Sequence, residues 1–199
     1  MKKFTLIELM LVISVISILI TILLPSLRNA RESAQSAVCQ SNTLQIFKAS
    51  QIWYKDNDHF PLDRWGWAIE LDLILTGEDV EDLQSPAFIC PKDTRDNLGV
   101  GWKGMQSYAQ NASVSDSNTD LKRMFQVNRP NEVMQFGDSD TDDIKDQSVT
   151  QKHIDRFPVL RHFDKLGRNF SFVDGHAKYV SWSKLLNREE SPYFYIPED

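Results

Sequence analysis

Four groups of side chains in this sequence have types and spacing that could do chemistry. In Asp138-Ser139-Asp140-Thr141-Asp142-Asp143 the carboxylates of Asp138, Asp140 and Asp142 alternate as calcium ligands do, because a hard cation needs several oxygens close together. The run is not an EF-hand, which would need Gly where Asp143 stands and Glu where Val149 stands. A looser calcium site and a solvated acidic loop are the two readings left. Further on, His162, Asp174 and His176 offer two imidazoles and a carboxylate, a donor set suited to zinc. The structural alternative is that Asp174-Gly175 is a turn whose Asp bonds its own backbone, with the histidine bonding locally. Cys39 and Cys90 fit no metal spacing. In an oxidising compartment they can pair and close about 50 residues of chain; otherwise they are two buried thiols. Glu8 is the fourth group, a single carboxylate at the head of an apolar run, where a charge is costly and calls for a partner.

Other patterns carry less. Gly99-Val100-Gly101-Trp102-Lys103-Gly104 spells a dinucleotide motif, but it sits among turn residues and not between a strand and a helix, so a loop is expected. Asn111-Ala112-Ser113 and Asn169-Phe170-Ser171 meet the weak glycosylation pattern. No nucleophile–base pattern is visible, so the chain is not expected to be an enzyme. Nucleic acid is not expected as a partner either, because 22 Lys and Arg against 28 Asp and Glu leave a net charge of −6, and phosphate binding needs a basic surface.

The elements that must position these residues begin with the stretch from Lys2 to Pro25. Counted from Phe4 to Leu24 it is about 21 residues, which as a helix rises ~31 Å and can cross a bilayer. Lys2 and Lys3 precede it and Arg28 and Arg31 follow, so flanking charge leaves its orientation open. Residues 26–55 lack Gly and Pro, and Leu27, Ala30, Ala34, Ala37, Val38, Ser41 and Leu44 recur at helical spacing. One spine of about 50 residues is predicted, the alternative being two helices broken at Pro25. Asp56-Asn57-Asp58 stops it, and 56–199 supply one modest domain.

Within that domain, Trp65 to Leu75 reads as a short helix with a glycine stop at Gly77, its tryptophans packing material in preference to a ligand cage. Phe88 to Asp93 reads as a short apolar entry and a turn. Residues 107–112, 125–127 and 132–137 read as extended, the last two around an Arg129-Pro130-Asn131 turn. Residues 169–182 give a hairpin through Asp174-Gly175, with Phe172 opposite Ala177, Phe170 opposite Tyr179 and His176 on the other face. The predicted class is α+β: a long N-terminal helix against a small, mainly antiparallel sheet.

Phe4-Thr5-Leu6-Ile7-Glu8-Leu9-Met10 resembles the N-terminal signature of type IV pilins and type II secretion pseudopilins. The resemblance implies a leader of residues 1–3, cleavage by a prepilin peptidase between Lys3 and Phe4, methylation of the new amine, and a transmembrane and assembly helix over 4–25. Glu8 would then pair with an amino terminus in a filament, and Pro25 falls where the family often kinks. Lys3 stands where the family usually has Gly.

The C-terminal part resembles the processing-associated domain named for His, nine residues, then Asp-Gly. Here eleven residues separate His162 from Asp174-Gly175, followed by His176. Cys39 with Asn42 and Leu44, Tyr54 with Asp56, Cys90-Pro91 and Ser107-Tyr108 resemble that family's spaced signature. Both resemblances imply a filament subunit made as a single-pass inner-membrane protein with a periplasmic domain, whose partners are other pilin-like subunits. Some major pseudopilins bind calcium in a loop, so calcium is the one cofactor the resemblance suggests. The alternative is a membrane-anchored module that binds calcium, glycan or an exported protein and forms no filament.

Overall fold

Thr5 and Glu8 start the chain's long helix by capping each other. The Glu8 Oε2 accepts from the Thr5 backbone N–H at 2.9 Å and from the Thr5 hydroxyl at 2.8 Å, while the Glu8 N–H donates to the Thr5 Oγ1 at 3.3 Å. This is the reciprocal Thr-x-x-Glu box that satisfies two donors otherwise orphaned at a helix start. Helix α1 (Leu6–Asn57) follows, 52 residues long. Pro25 lies inside it, so the proline is absorbed and the two-helix alternative is excluded. At the far end Asp58 takes a left-handed φ of 60° and donates its N–H to the Tyr54 carbonyl at 2.8 Å.

The structure, a computed structural model, describes residues 5–59, 61, 67–78, 83, 85–94, 106–111, 127, 129–139, 161–162, 167–181 and 183–184. The predicted extended residues Phe125 and Gln126 and the loop 99–104 lie outside these. The chain divides into two compact units, Met1–Ala34 and Gln35–Asp199.

In the first unit α1 is long and apolar enough to cross a membrane. Its large side chains, from Leu6 to Leu27, are exposed all round. Its few hydroxyls turn back on the helix: Ser14 to the Leu11 carbonyl, Ser17 to Ile13, Thr21 to Ser17 and Ser26 to Leu23, all at 2.7–2.8 Å. Polar groups satisfied within the helix suit an apolar surrounding.

In the second unit the same helix buries Ser36, Cys39, Asn42, Thr43, Ile46, Phe47, Ala49 and Ser50, a stripe at spacings of one to three residues along one face. The core built on it joins Ile46, Phe47 and Ala49 to Trp67, Leu71, Phe88, Tyr108 and Phe136. Trp67 comes from α2 (Trp67–Thr76), which ends at Gly77 with φ 77°, where a side chain would be strained. Its ring lies 5.3 Å from that of Phe136 and 6.0 Å from that of Phe88, so Trp67 is packing material as expected. Trp65 lies outside the described residues. A single 3-10 turn (Pro86–Phe88) leads into the apolar entry, with Phe88 and Cys90 buried and a turn after Cys90; Ser85 caps the 3-10 turn and donates its own N–H to the Asp72 carboxylate at 2.8 Å.

Four antiparallel strands, β1 (Tyr108–Gln110), β2 (Met134–Asp138), β3 (Gly167–Phe172) and β4 (Ala177–Ser181), form one sheet in chain order. The α+β arrangement of a long N-terminal helix packed on a small antiparallel sheet is therefore what the sequence predicts. The Arg129-Pro130-Asn131 turn is also present, with Arg129 at φ 54° and the Glu132 N–H on the Arg129 carbonyl at 2.8 Å.

The hairpin register differs by one residue from that prediction. Phe170 opposes Lys178 and Ser171 opposes Ala177. The loop is the reason. The Gly175 N–H donates to the Phe172 carbonyl and the Phe172 N–H to the His176 carbonyl, both at 2.9 Å, so Val173-Asp174-Gly175 forms a three-residue loop with Gly175 at φ 94°. A one-residue slip exchanges faces. Ala177 and Tyr179 thus share the face of Asn169 and Ser171, while His176 stacks on Phe172 with ring centroids 4.2 Å apart.

β2 and β3 approach closely because Gly137 opposes Phe170, and a Cβ on Gly137 would run into the Phe170 ring. Both strands are buried along their whole length, so the ring has little room to yield. Gly137→Ala is expected to cost about 1–3 kcal/mol, read as a lower denaturant midpoint for the detergent-solubilised chain.

Candidate functional site

The residues singled out in the sequence fall into three places. Glu8 is at the head of α1, where its carboxylate is already engaged as the helix cap. Phe4 and Lys3, on either side of the expected cut, lie outside the described residues. Asp174, Gly175 and His176 are at the hairpin tip. There the His176 Nδ1 lies 2.6 Å from the Asp174 Oδ1, which also accepts the His176 N–H at 3.1 Å, while the Asp174 N–H donates to the Pro130 carbonyl at 3.2 Å. This is the local bonding that an Asp-Gly turn favours. His162 is elsewhere, so the zinc set of His162, Asp174 and His176 does not assemble.

His162 instead joins the third and most concentrated group, a polar centre in the core of the second unit. Cys39 of α1 and Cys90, after the 3-10 turn, form a disulfide with Cα atoms 5.4 Å apart and 51 residues separating them in the sequence. This makes the pairing of the two cysteines a feature of the fold; the loop-entropy model gives it about 4 kcal/mol. The His162 Nε2 lies 3.6 Å from the Cys90 Sγ and 3.5 Å from the Asp138 Oδ2. His162 reaches this position through an antiparallel bridge to Gly167 at the start of β3.

Asp138 therefore has a different setting from the acidic loop expected of it. It is the last residue of β2 and fully buried. Its Oδ2 accepts the Asn169 backbone N–H at 2.7 Å. Asp140 and Asp142 lie outside the described residues, so only one of the three expected calcium ligands is placed, and its carboxylate is turned into the core.

Around this centre α1, β1 and β3 contribute polar anchors. The Asn169 side chain, on β3, accepts from the Gln40 amide at 3.1 Å and the Ser36 hydroxyl at 3.3 Å, both on α1. The Tyr108 hydroxyl, on β1, accepts from the Asn42 amide, which also donates to the Ile89 carbonyl at 2.9 Å. Burial, with the Asp138 charge second, pushes the Tyr108 hydroxyl far above its ordinary pKa, so it stays a neutral phenol. Next to it Arg161 pairs with Asp93 at 2.6 Å, and its guanidinium donates to the Ser107 carbonyl at 2.7 Å and to the Ser139 carbonyl. The Ser107 hydroxyl completes the ring by donating to Asp93 at 2.7 Å. Ion pairing at this depth is tolerable because further hydrogen bonds hold both partners.

Six residues of the spaced signature, Cys39, Asn42, Cys90, Ser107, Tyr108 and His162, thus lie in one buried network. Sequence reasoning missed Asn169, Asp93 and the role of Arg161. Asn169 and Asn111, which meet the glycosylation pattern, are both fully buried, so neither can serve as an acceptor in the folded chain. Asn111 instead donates to the Met134 carbonyl at 2.8 Å.

A centre with no exposed member acts on the fold and not on a solute at the surface. Its most heavily used side chain is Asn169, so Asn169→Ala, which strands the Gln40 and Ser36 groups, is expected to cost about 1–3 kcal/mol in denaturant unfolding of the detergent-solubilised chain. Asn169→Asp keeps the acceptor but buries a charge and turns an oxygen toward the Ser36 carbonyl, so it should lose at least as much. Comparison with protein-family models, curated proteins and solved structures finds no match to this chain.

Proposed function

We propose that this chain is a structural subunit of a type IV pilus or type II secretion-like filament, held first in the inner membrane by α1 and then packed through α1 against neighbouring subunits, with its sheet domain on the periplasmic side. The observation that carries the reading is the state of α1's first half. It is apolar on every face and fully exposed, its hydroxyls are bonded internally, and Glu8 is the one ionisable side chain from Thr5 to Ser26. In a plain anchor such a carboxylate would serve only as the helix cap, at the cost of a charge beside the apolar layer. Cleavage before Phe4 by a prepilin peptidase would put a new amine one residue ahead of Thr5, whose N–H the Glu8 carboxylate already holds at 2.9 Å. An ammonium from a neighbouring chain would neutralise Glu8 inside an apolar bundle, where an unpaired charge is disfavoured.

Two substitutions separate the charge from the cap. Glutamine serves as well as glutamate in a capping box but carries no charge. Glu8→Gln should therefore leave the chain in the membrane fraction, as Glu8→Ala should, yet both should lose most surface filaments seen by electron microscopy with an antibody to the sheet domain. Normal filaments from Glu8→Gln would mean that only the cap matters. An unaltered chain that stays in the membrane and labels no filament would instead favour the tethered binding module.

A further inference from the structure

The disulfide accounts for the two sulfurs of the buried centre but not for their company. A disulfide is apolar and asks for no polar neighbour, whereas burying an imidazole and a carboxylate beside it carries a desolvation cost. Yet Cys39, Cys90, Asp138 and His162 are all fully buried, and one ligand atom from each lies within 4.8 Å of the other three.

These four are the donor types of a closed zinc site: two thiolates, an imidazole and a carboxylate. Zinc–sulfur bonds of about 2.3 Å and zinc–nitrogen or –oxygen bonds of about 2.0–2.1 Å, arranged tetrahedrally, put neighbouring ligand atoms about 3.3–3.8 Å apart. Of the five separations other than the sulfur–sulfur bond, two fall in that range, 3.6 Å from the His162 Nε2 to the Cys90 Sγ and 3.5 Å from the His162 Nε2 to the Asp138 Oδ2, and the other three are within 4.8 Å. The scaffold is also suitable. Cys39 sits on α1, Asp138 ends β2, and His162 is held by its bridge to Gly167. The Asn169 N–H fixes the Asp138 carboxylate from outside, as supporting hydrogen bonds do for metal ligands.

We propose that Cys39, Cys90, Asp138 and His162 form a tetrahedral zinc site in the reduced chain, which closure of the Cys39–Cys90 disulfide excludes. The chemistry balances. A dithiol gives two electrons and two protons to the disulfide and closes to its own disulfide, leaving two thiols. Zinc then displaces the two thiol protons to water; bound by two thiolates, a neutral imidazole and a carboxylate, it gives a centre with one net negative charge. Oxidation by a disulfide runs the sequence backwards and ejects the metal. Either state ties α1 to the segment at Cys90, so the centre cross-links the fold in both redox conditions, and the inference does not depend on the filament reading.

Cobalt(II) added to the full chain in detergent, purified under a phosphine reductant, tests it. One equivalent should bind with thiolate-to-metal charge-transfer absorption and tetrahedral visible bands, and zinc should displace it. The oxidised chain should show neither. His162→Ala and Asp138→Asn should each weaken binding roughly tenfold or more, and Cys39→Ser should remove the charge-transfer band. A folded reduced chain without that band, or unchanged affinity in both the His162 and Asp138 variants, overturns the site. A measurement on the unaltered chain stands beside these should a variant fail to fold. Zinc should raise the thermal midpoint of the reduced chain and leave that of the oxidised chain unmoved; equal shifts in both, or none in either, overturn it.

Discussion

The Cys39–Cys90 bond ties a helix whose contact face is narrow to a segment with almost no regular structure of its own. Of the eight α1 residues buried in the second unit, Ser36, Asn42, Thr43 and Ser50 are polar. Such a face gains less from apolar burial than a leucine-rich one would. What it gains instead is specification. Asn169 grips Ser36 and Gln40, Tyr108 meets Asn42, and the Gln135 amide donates to the Ser50 hydroxyl at 3.1 Å. Hydrogen bonds at several points along the stripe fix both the rotation and the axial position of the helix, since a slip of one residue would break them together. The covalent link keeps that arrangement from being lost one contact at a time.

The two halves of α1 solve the same problem, polar groups in apolar surroundings, in opposite ways. From Leu9 to Ser26 the hydroxyls bond to their own helix and leave the outer surface apolar. After Ala34, several side chains bond to partners far along the chain. A single helix thus carries a stretch that needs no partner for its polar atoms and a stretch that is defined by its partners.

Local signals were legible in the sequence and pairings were not. The span of α1 follows from its apolar run, its helical spacing and the absence of Gly between Phe4 and Asn57; its end at Asp56-Asn57-Asp58 follows from turn chemistry. The Thr5-x-x-Glu8 box is equally readable, although a carboxylate ahead of an apolar run reads as a costly charge as much as a cap. The hairpin was visible and its register was not, because Asp-Gly serves both a two-residue loop and the end of a three-residue one, and only the cross-strand bonds distinguish them. The buried centre was hidden for a different reason. Its members are up to 133 residues apart in sequence, as Ser36 and Asn169 are, and no periodicity links residues on different elements. Asp138 shows the limit most plainly: its acidic neighbours suggest a solvated loop, whereas its own position ends a buried strand.

The bridge between His162 and Gly167 has a consequence for how this domain can tolerate change in length. His162 belongs to the core centre, whereas Asp174 and Gly175 belong to the hairpin tip, at opposite ends of β3. The number of residues between histidine and Asp-Gly is therefore the sum of a strand, whose length the sheet dictates, and of the residues between His162 and Gly167, whose number the sheet does not dictate. The spacing is thus not a ruler between cooperating groups.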